Sequence, residues 1–330
     1  MNIAINGFGR IGRQVLRIIL DKHPTAKVVL INDLTEPATL AHLFEYDSTY
    51  GTFKGKVEVQ GDQLITAHGS AKLTAIKNPA ELPHKELNVD VVLECTGIFT
   101  KRDDAALHLK AGAKKVIISA PCKDKADGTF CIGVNHTTYD PKTMHVISNA
   151  SCTTNCLAPM AKVLEDTFGI ESGLMNTIHS YTNDQNLLDL PHRDLRRARS
   201  APQSIVPTST GAAKAIGEVI PALKGKLHGV SLRVPTPTGS ITDLTVILKR
   251  DVTADEVNAA FEKAAAGPMK SILRVENKPL VLKDFVGDSH SCIIDAALTQ
   301  VIGGKLLKVF GWYDNEWGYS NRLAELALLV

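Results

Sequence analysis

The run Asn6-Gly7-Phe8-Gly9-Arg10-Ile11-Gly12 constrains the fold of this chain more than any other segment. Its GxGxxG pattern follows the apolar run Ile3–Asn6. It opens a stretch with apolar residues at Ile11, Val15, Ile18 and Ile19, a helical period. Each glycine has a mechanical reason: Gly7 for a tight turn, Gly9 for close approach of backbone to a pyrophosphate, and Gly12 for helix packed on strand. The helix start then offers N–H groups and a positive dipole end to an anion. The next strand-like run, Lys27–Asn32, ends at Asp33. A carboxylate there accepts hydrogen bonds from the adenosine ribose hydroxyls and repels a 2′-phosphate, which predicts NAD rather than NADP. Read without its context, the motif is also compatible with a glycine-rich turn that holds nothing.

The first half keeps alternating. Val89–Cys95, Lys115–Ser119 and Val146–Ser148 read as strands, and Asp103–Ala111 as a helix ended by Gly112. That order predicts a parallel, doubly wound α/β sheet. Phe53–Ile76 alternates differently, with turns at Gly61-Asp62 and His68-Gly69, and is expected to form hairpins. Beyond a boundary near Asn149 the rhythm changes. Helices are expected over Cys152–Asp166, Thr210–Leu223, Ala254–Ala266 and Tyr319–Val330. Leu244–Arg250, Cys292–Ala297 and Leu306–Trp312 read as long strands of an antiparallel sheet. The segment from His179 to Pro207 is polar, Arg-rich and aperiodic, and a loop of that length in a compact protein is usually functional.

Length and composition narrow the function classes. A chain of 330 residues fits two domains, and 44% hydrophobic residues exclude a largely disordered one. The formal net charge of +2 gives no strong global attraction to nucleic acid or to a membrane surface. No apolar run is long enough to span a bilayer, and Met1-Asn2-Ile3-Ala4-Ile5 lacks the pattern of a secretory signal, so a cytoplasmic chain is expected. Six cysteines, four of them scattered and only Cys152 and Cys156 close together, are no disulfide framework, and no four-ligand zinc spacing occurs. No metal site is therefore expected, and a catalytic thiol in a reducing compartment is.

Cys152 is the candidate. In Ser151-Cys152-Thr153-Thr154-Asn155-Cys156, Ser151 is a plausible N-cap and Cys152 falls in the first helical turn, where the dipole favours a thiolate. His179, after the strand-like Leu174–Ile178, could return to the same point as base or ion-pair partner. Cys156 lies one turn deeper and is expected to be buried. From pattern alone, Cys152 could equally be a small core residue and His179 a satisfied core histidine.

Ala150-Ser-Cys-Thr-Thr-Asn-Cys156 resembles the active-site signature of the phosphorylating glyceraldehyde-3-phosphate dehydrogenases. The likeness continues through Asn32-Asp33-Leu34, Tyr46-Asp47-Ser48, His179-Ser-Tyr-Thr182, Ser209-Thr-Gly-Ala-Ala-Lys214, Arg233-Val-Pro-Thr236 and Trp312-Tyr-Asp-Asn-Glu316. It implies a Rossmann domain over 1–149 with a C-terminal helix, 316–330, packing back on it. It also implies an α+β catalytic domain over 150–315 with a mostly antiparallel sheet. Thr182 and Arg233 match positions that hold the substrate's phosphate. Ser151, Thr153, Arg197, Thr210 and Gly211 match those of the attacking inorganic phosphate. Arg10 and Ile11 are implied at the pyrophosphate, Lys77 and Ser119 around the adenosine and ribose, and Asn315 at the nicotinamide amide. Lys77 departs from the arginine common in the family. Leu190 and Pro191 match NAD-preferring members. Thr238-Gly239-Ser240 carries no expectation.

The implied reaction is glycolytic or gluconeogenic. Cys152 adds to the aldehyde of glyceraldehyde 3-phosphate, His179 manages the proton, hydride leaves to NAD, and phosphate cleaves the thioester. The stretch from His179 to Pro207 resembles the family's S-loop, which implies a homotetramer. At least two of Arg193, Arg196, Arg197 and Arg199 are expected to be ordinary solvated or interface charges. An erythrose 4-phosphate dehydrogenase of the same fold, or a protein with a mainly binding role, are the competing readings. A reactive thiol argues against binding alone.

Overall fold

The computed structural model describes all 330 residues and divides into two compact units. One comprises 1–130, 136–150 and 320–330, and the other 131–135 and 151–319.

The first unit is built on nine strands: β1 (Asn2–Asn6), β2 (Lys27–Asn32), β3 (Val57–Gln60), β4 (Gln63–Thr66), β5 (Gly69–Thr74), β6 (Val91–Glu94), β7 (Lys115–Ile118), β8 (Gly128–Thr129) and β9 (Val146–Ser148). Their order is β3-β4-β5-β2-β1-β6-β7-β9-β8. All neighbours are parallel except β3–β4 and β4–β5, the expected hairpins. From β1 the chain moves one way to β2 and later the other way to β6. The sheet therefore has a switch point at the C-terminal ends of β1 and β6, where open α/β sheets take their ligands. Helices α1 (Arg10–Lys22), α2 (Pro37–Glu45), α3 (Arg102–Ala105) and α4 (Leu107–Lys110) complete the unit.

Where a single helix is expected over Asp103–Ala111, α3 and α4 run on with only Ala106 between them, itself in αR conformation. Gly112 follows at φ +104, where a Cβ would meet Lys85 at 2.6 Å. Helix α2 carries no sequence expectation: Pro37 starts it and only Leu40, Ala41 and Phe44 are buried, too few for a clear apolar stripe.

In the second unit, helix α5 (Cys152–Phe168) is followed by β10 (Ile170–Ser180), β11 (Val206–Ser209), α6 (Ala212–Val219), β12 (Leu227–Val234) and β13 (Ser240–Leu248). Helix α7 (Ala254–Ala266), β14 (Leu273–Glu276), β15 (Cys292–Asp295), β16 (Gln300–Ile302) and β17 (Leu306–Tyr313) complete this unit, and the last helix, α8 (Trp317–Leu329), belongs from residue 320 onward to the first unit. The sheet runs β11-β12-β10-β13-β17-β15-β14, with β16 on β17. It is mostly antiparallel, as expected, with parallel pairs at β10–β12 and β14–β15. Helix α7 has the limits expected from sequence because Thr253 and Glu256 form a reciprocal capping box. The expected Thr210–Leu223 helix is shorter: Pro221 cannot donate a helical hydrogen bond and starts a separate 3-10 turn.

Candidate active site

Register brings the catalytic candidates into one row. Across four neighbouring strands, Arg233 (β12) pairs with His179 (β10), His179 with Ser240 (β13), and Ser240 with Tyr313 (β17). Thr177, two residues before His179, shares its face of β10. The Tyr313 hydroxyl bonds the Thr177 hydroxyl at 2.8 Å and the Thr153 hydroxyl at 2.8 Å. Its ring packs edge-on with the His179 ring, the centroids 6.1 Å apart. Tyr313 thus ties the start of α5 to the strand that carries the histidine.

The start of α5 is built as its sequence predicts. Ala150 takes φ +54, a left-handed conformation that non-glycine residues rarely adopt, and turns the chain from β9 into the helix. The Ser151 hydroxyl caps it, accepting from Thr154 N at 3.0 Å. Cys152 then lies in the first turn with its Sγ 3.4 Å from His179 Nε2. At the far side of the ring, Nδ1 is 2.7 Å from the Ser180 carbonyl. A carbonyl only accepts, so Nδ1 carries the proton and Nε2 faces the sulfur as an acceptor. Arg233 Nη1 stands 3.0 Å from Nδ1 and donates to Ser180 O at 3.2 Å and to the Thr182 hydroxyl at 3.0 Å.

The electrostatics correct the expectation of a thiolate set by the helix start alone. Burial is the larger effect and pushes the Cys152 thiol up, against the charge of Arg233 and the hydrogen bonds of Thr153. Burial, then the charge of Arg233, push the His179 imidazole down to about 3, opposed by its bond to the Ser180 carbonyl. Each group taken singly is therefore neutral at pH 7, and thiol and base are matched as a hydrogen-bonded pair. Cys156, one turn on, is buried and donates to Gly311 O at 3.5 Å.

The anion candidates fall into two linked groups. Arg233 and Thr182 are in contact, as above. Thr182 also donates to Asp184, and Arg197 Nη1 reaches the other oxygen of that carboxylate at 2.5 Å. Donors matched to two different phosphates thus converge on one carboxylate. Arg197 Nε lies 3.3 Å from Asp194, and Arg199 is paired with Asp189 at 2.9 Å. Thr210 Oγ1 accepts from Ala212 N at 3.2 Å, and Gly211 occupies the N-cap of α6, where no side chain caps the helix. The Thr153 side chain is buried and its hydroxyl engages the Tyr313 hydroxyl, which leaves its first-turn backbone as the part near the helix start.

The residues implied for the cofactor fit a dinucleotide. Gly7 takes φ +91, and a Cβ there would lie 2.6 Å from Thr96 N. A Cβ on Gly12 would lie 2.2 Å from Gly7 O, whereas one on Gly9 would meet nothing, leaving an open cradle over the start of α1. No side chain caps α1 and no acidic residue sits in its first turn. Ile11 is half-buried there, and the Arg10 guanidinium is held 2.6 Å from Asp47. Asp33 is fixed at the end of β2 by Phe8 N at 2.8 Å and Thr35 N at 3.0 Å. Ser119 follows β7, and its backbone N donates to Glu94 O at 3.0 Å. Lys77 is exposed and makes none of the hydrogen bonds that fix the others.

In the second unit, Asn315 Oδ1 accepts from Gly239 N at 2.9 Å, Ser180 Oγ at 3.0 Å and Ser240 Oγ at 3.2 Å. Three donors on the oxygen fix the flip of this amide and leave its NH₂ as a donor for a carboxamide oxygen. Gly239 and Ser240, which carried no expectation, thus position Asn315. Sequence reasoning also passed over Tyr313, Thr177 and Asp184. The period-2 spacing of Thr177 and His179 was the available signal, but it names no partner on the opposite strand.

Comparison with known proteins follows the same lines. A family model described as the NAD binding domain of glyceraldehyde 3-phosphate dehydrogenase matches residues 1–102, and one described as its C-terminal domain matches residues 151–315. The chain is 56% identical to the glyceraldehyde-3-phosphate dehydrogenase of Geobacillus stearothermophilus over 330 residues, covering 100% of this chain and 98% of that one. It is 55% identical over 331 residues to the Streptomyces coelicolor enzyme of that name, and 54% over 330 residues to glyceraldehyde-3-phosphate dehydrogenase 1 of Bacillus subtilis, with the same coverage.

Proposed function

Because this chain belongs to the glyceraldehyde-3-phosphate dehydrogenase family, we propose that Cys152 and His179 carry its chemistry. The activity is NAD-dependent oxidation of glyceraldehyde 3-phosphate, a glycolytic step. The observation that supports these two residues is the 3.4 Å contact between a first-turn sulfur and an imidazole nitrogen fixed as an acceptor.

In this reading the Cys152 sulfur bonds to the aldehyde carbon while its proton passes to His179 Nε2 and on to the former carbonyl oxygen, giving a thiohemiacetal. NAD, when bound, supplies the hydride acceptor. His179 Nε2 takes the hydroxyl proton of the adduct as it is oxidised to a thioester. An oxygen of inorganic phosphate then bonds to the acyl carbon, the bond to sulfur breaks, and the sulfur recovers a proton. The product is 1,3-bisphosphoglycerate. Arg233 and Thr182 hold the substrate phosphate. Ser151, Thr153, Arg197, Thr210 and Gly211 hold the attacking one, Thr153 through its first-turn backbone. Asp184, on which Thr182 and Arg197 converge, stands in for an anion and must give way when phosphate binds. Gly7, Gly9, Arg10, Ile11 and Gly12 hold the pyrophosphate, Asp33 the adenosine ribose, Lys77 and Ser119 its surroundings, and Asn315 the carboxamide. We assign cofactor binding to residues 1–149 with 316–330, and catalysis to 150–315.

Two finer features complete the proposal. Leu187, Leu188, Leu190 and Leu195 are all at least 63% exposed in the single chain, which supports a homotetramer that covers them. All six cysteines are unpaired thiols, which suits the cytoplasm. The decisive test is NADH formation from glyceraldehyde 3-phosphate with and without inorganic phosphate. Turnover must require phosphate; steady turnover without it would point to a hydrolytic aldehyde dehydrogenase. Light scattering should give a tetramer, and a monomer would remove that part of the proposal.

A further inference from the structure

We propose that Glu94 and His108, a fully buried carboxylate–imidazole pair outside the catalytic row, are positioning residues for the dinucleotide. The proposal rests on the assignment of NAD to the Gly7–Gly12 turn.

Glu94 is the last residue of β6, at the switch point of the sheet, and is 1% exposed. Its Oε2 accepts from Asn6 Nδ2 at 2.6 Å and from His108 Nε2 at 3.0 Å. Its Oε1 accepts from Thr96 N at 2.9 Å and from the Thr96 hydroxyl. Four donors on one carboxylate leave it fully engaged. Asn6 is the residue before Gly7, and its Oδ1 accepts from Asn32 Nδ2 at 2.7 Å. Asn32 is the residue before Asp33, and its Oδ1 accepts from Thr74 Oγ1 at 2.8 Å and Ile76 N at 2.9 Å. One continuous network therefore fixes the ends of β1, β2 and β6, each at the residue before a cofactor-facing turn. His108, on α4, holds the carboxylate from below. Its Nδ1 lies 2.9 Å from His84 Nε2, and both imidazoles are 0% exposed.

Stability alone does not explain this cluster. Buried charged or polar trios are often no more stable than apolar residues of the same volume, whereas breaking one leaves unpaired groups behind. His84 Nδ1 has no partner at all, a defect an apolar side chain would avoid. What the network does provide is placement. Gly7 and Thr96 touch, since a Cβ on Gly7 would lie 2.6 Å from Thr96 N. Two hydrogen bonds from Thr96 to Glu94 therefore set how far the pyrophosphate turn can move.

The experiment compares Glu94→Gln, His108→Leu and His108→Gln in the full-length protein. Carboxylate–imidazole partners that orient metal ligands cost about 10- to 100-fold in binding when removed, and the same logic of lost positioning sets the scale here. We expect calorimetric Kd values for NAD and for ADP-ribose to rise together by about tenfold or more in Glu94→Gln and His108→Leu. His108→Gln, which keeps a donor for the carboxylate, should return to within about threefold of the parent. KM for NAD should rise while kcat at saturating NAD and the NAD-free alkylation rate of Cys152 stay unchanged. A folded His108→Leu protein with parental Kd for both ligands would overturn the proposal, and so would failure of all three variants to fold, which would make the pair a requirement of the fold. Failure of the parent itself to bind NAD would instead overturn the cofactor assignment.

Discussion

Replacing His179 by asparagine tests whether the imidazole is the proton acceptor for Cys152. Burial raises the Cys152 thiol and holds the His179 imidazole at about 3, so the resting site opposes moving the proton from sulfur to nitrogen. Attraction between the resulting charges across 3.4 Å returns about 5 kcal/mol at an effective dielectric constant of about 20. First-turn N–H groups contribute up to about 2 kcal/mol more. These attractions offset part of that opposition, so the charged pair is a species formed during turnover and the neutral pair is the resting one. The amide of the His179→Asn variant would take up no proton, so its thiolate could form only by release to water from a buried site. Iodoacetamide inactivation followed from pH 5 to 10, in the absence of NAD, reads this directly. At pH 7 the variant should react at least about tenfold more slowly, with its titration midpoint moved to higher pH by at least about one unit. The turnover number should fall about 10²- to 10⁴-fold. An alkylation profile superimposable on the parent's would refute the acceptor role, even if turnover were lost.

Three further outcomes follow from the structure. Asp33→Ser removes the carboxylate that repels a 2′-phosphate, so steady-state kinetics should show KM for NADP falling and KM for NAD rising several-fold; unchanged cofactor preference would exclude Asp33 as the discriminator. Thr253→Ala breaks the capping box of α7 and should cost about 1 kcal/mol, seen as a fall of roughly 1–3 °C in thermal melting with activity intact; a parental melting temperature would contradict the cap. His84 and His179 both have folded values of about 3, below the ordinary 6.5, so the folded state resists their protonation. Their contribution to stability is present above pH 6.5 and is lost as pH falls toward 3. Melting temperature should decline through that window, less steeply in His84→Phe, and an equal slope in both proteins would refute this.

Much of the first unit could be read from sequence because its signals are local. Glycine spacing, a β-branched run and an acidic residue at a strand end each act within a few residues, and the structure gives Gly7 the positive φ, Gly12 the close approach and Asp33 the strand-end place those signals require. Helix α7 was legible for the same reason, its cap being a four-residue motif. The pairing of Cys152 with His179 came only as an open alternative, because it depends on sheet register. The row Arg233, His179, Ser240 and Tyr313 unites four strands far apart in sequence. Burial was the other blind spot. Helix position alone favours a thiolate at Cys152, but the surrounding protein raises the thiol, and that density belongs to the fold. The support of Asn315 by Gly239 and Ser240 is likewise a product of strand ends meeting, with no trace in either segment read separately.

The central claim is that oxidised substrate is held as a thioester on Cys152. It is tested most directly by mixing the protein with NAD and glyceraldehyde 3-phosphate without inorganic phosphate, quenching in acid, and mapping the peptides by mass spectrometry. The account predicts one acyl group, on the Cys152 sulfur, that disappears when phosphate is added before the quench. An acyl group on Cys156 or any other residue, or NADH formed with no acylated peptide, would contradict it.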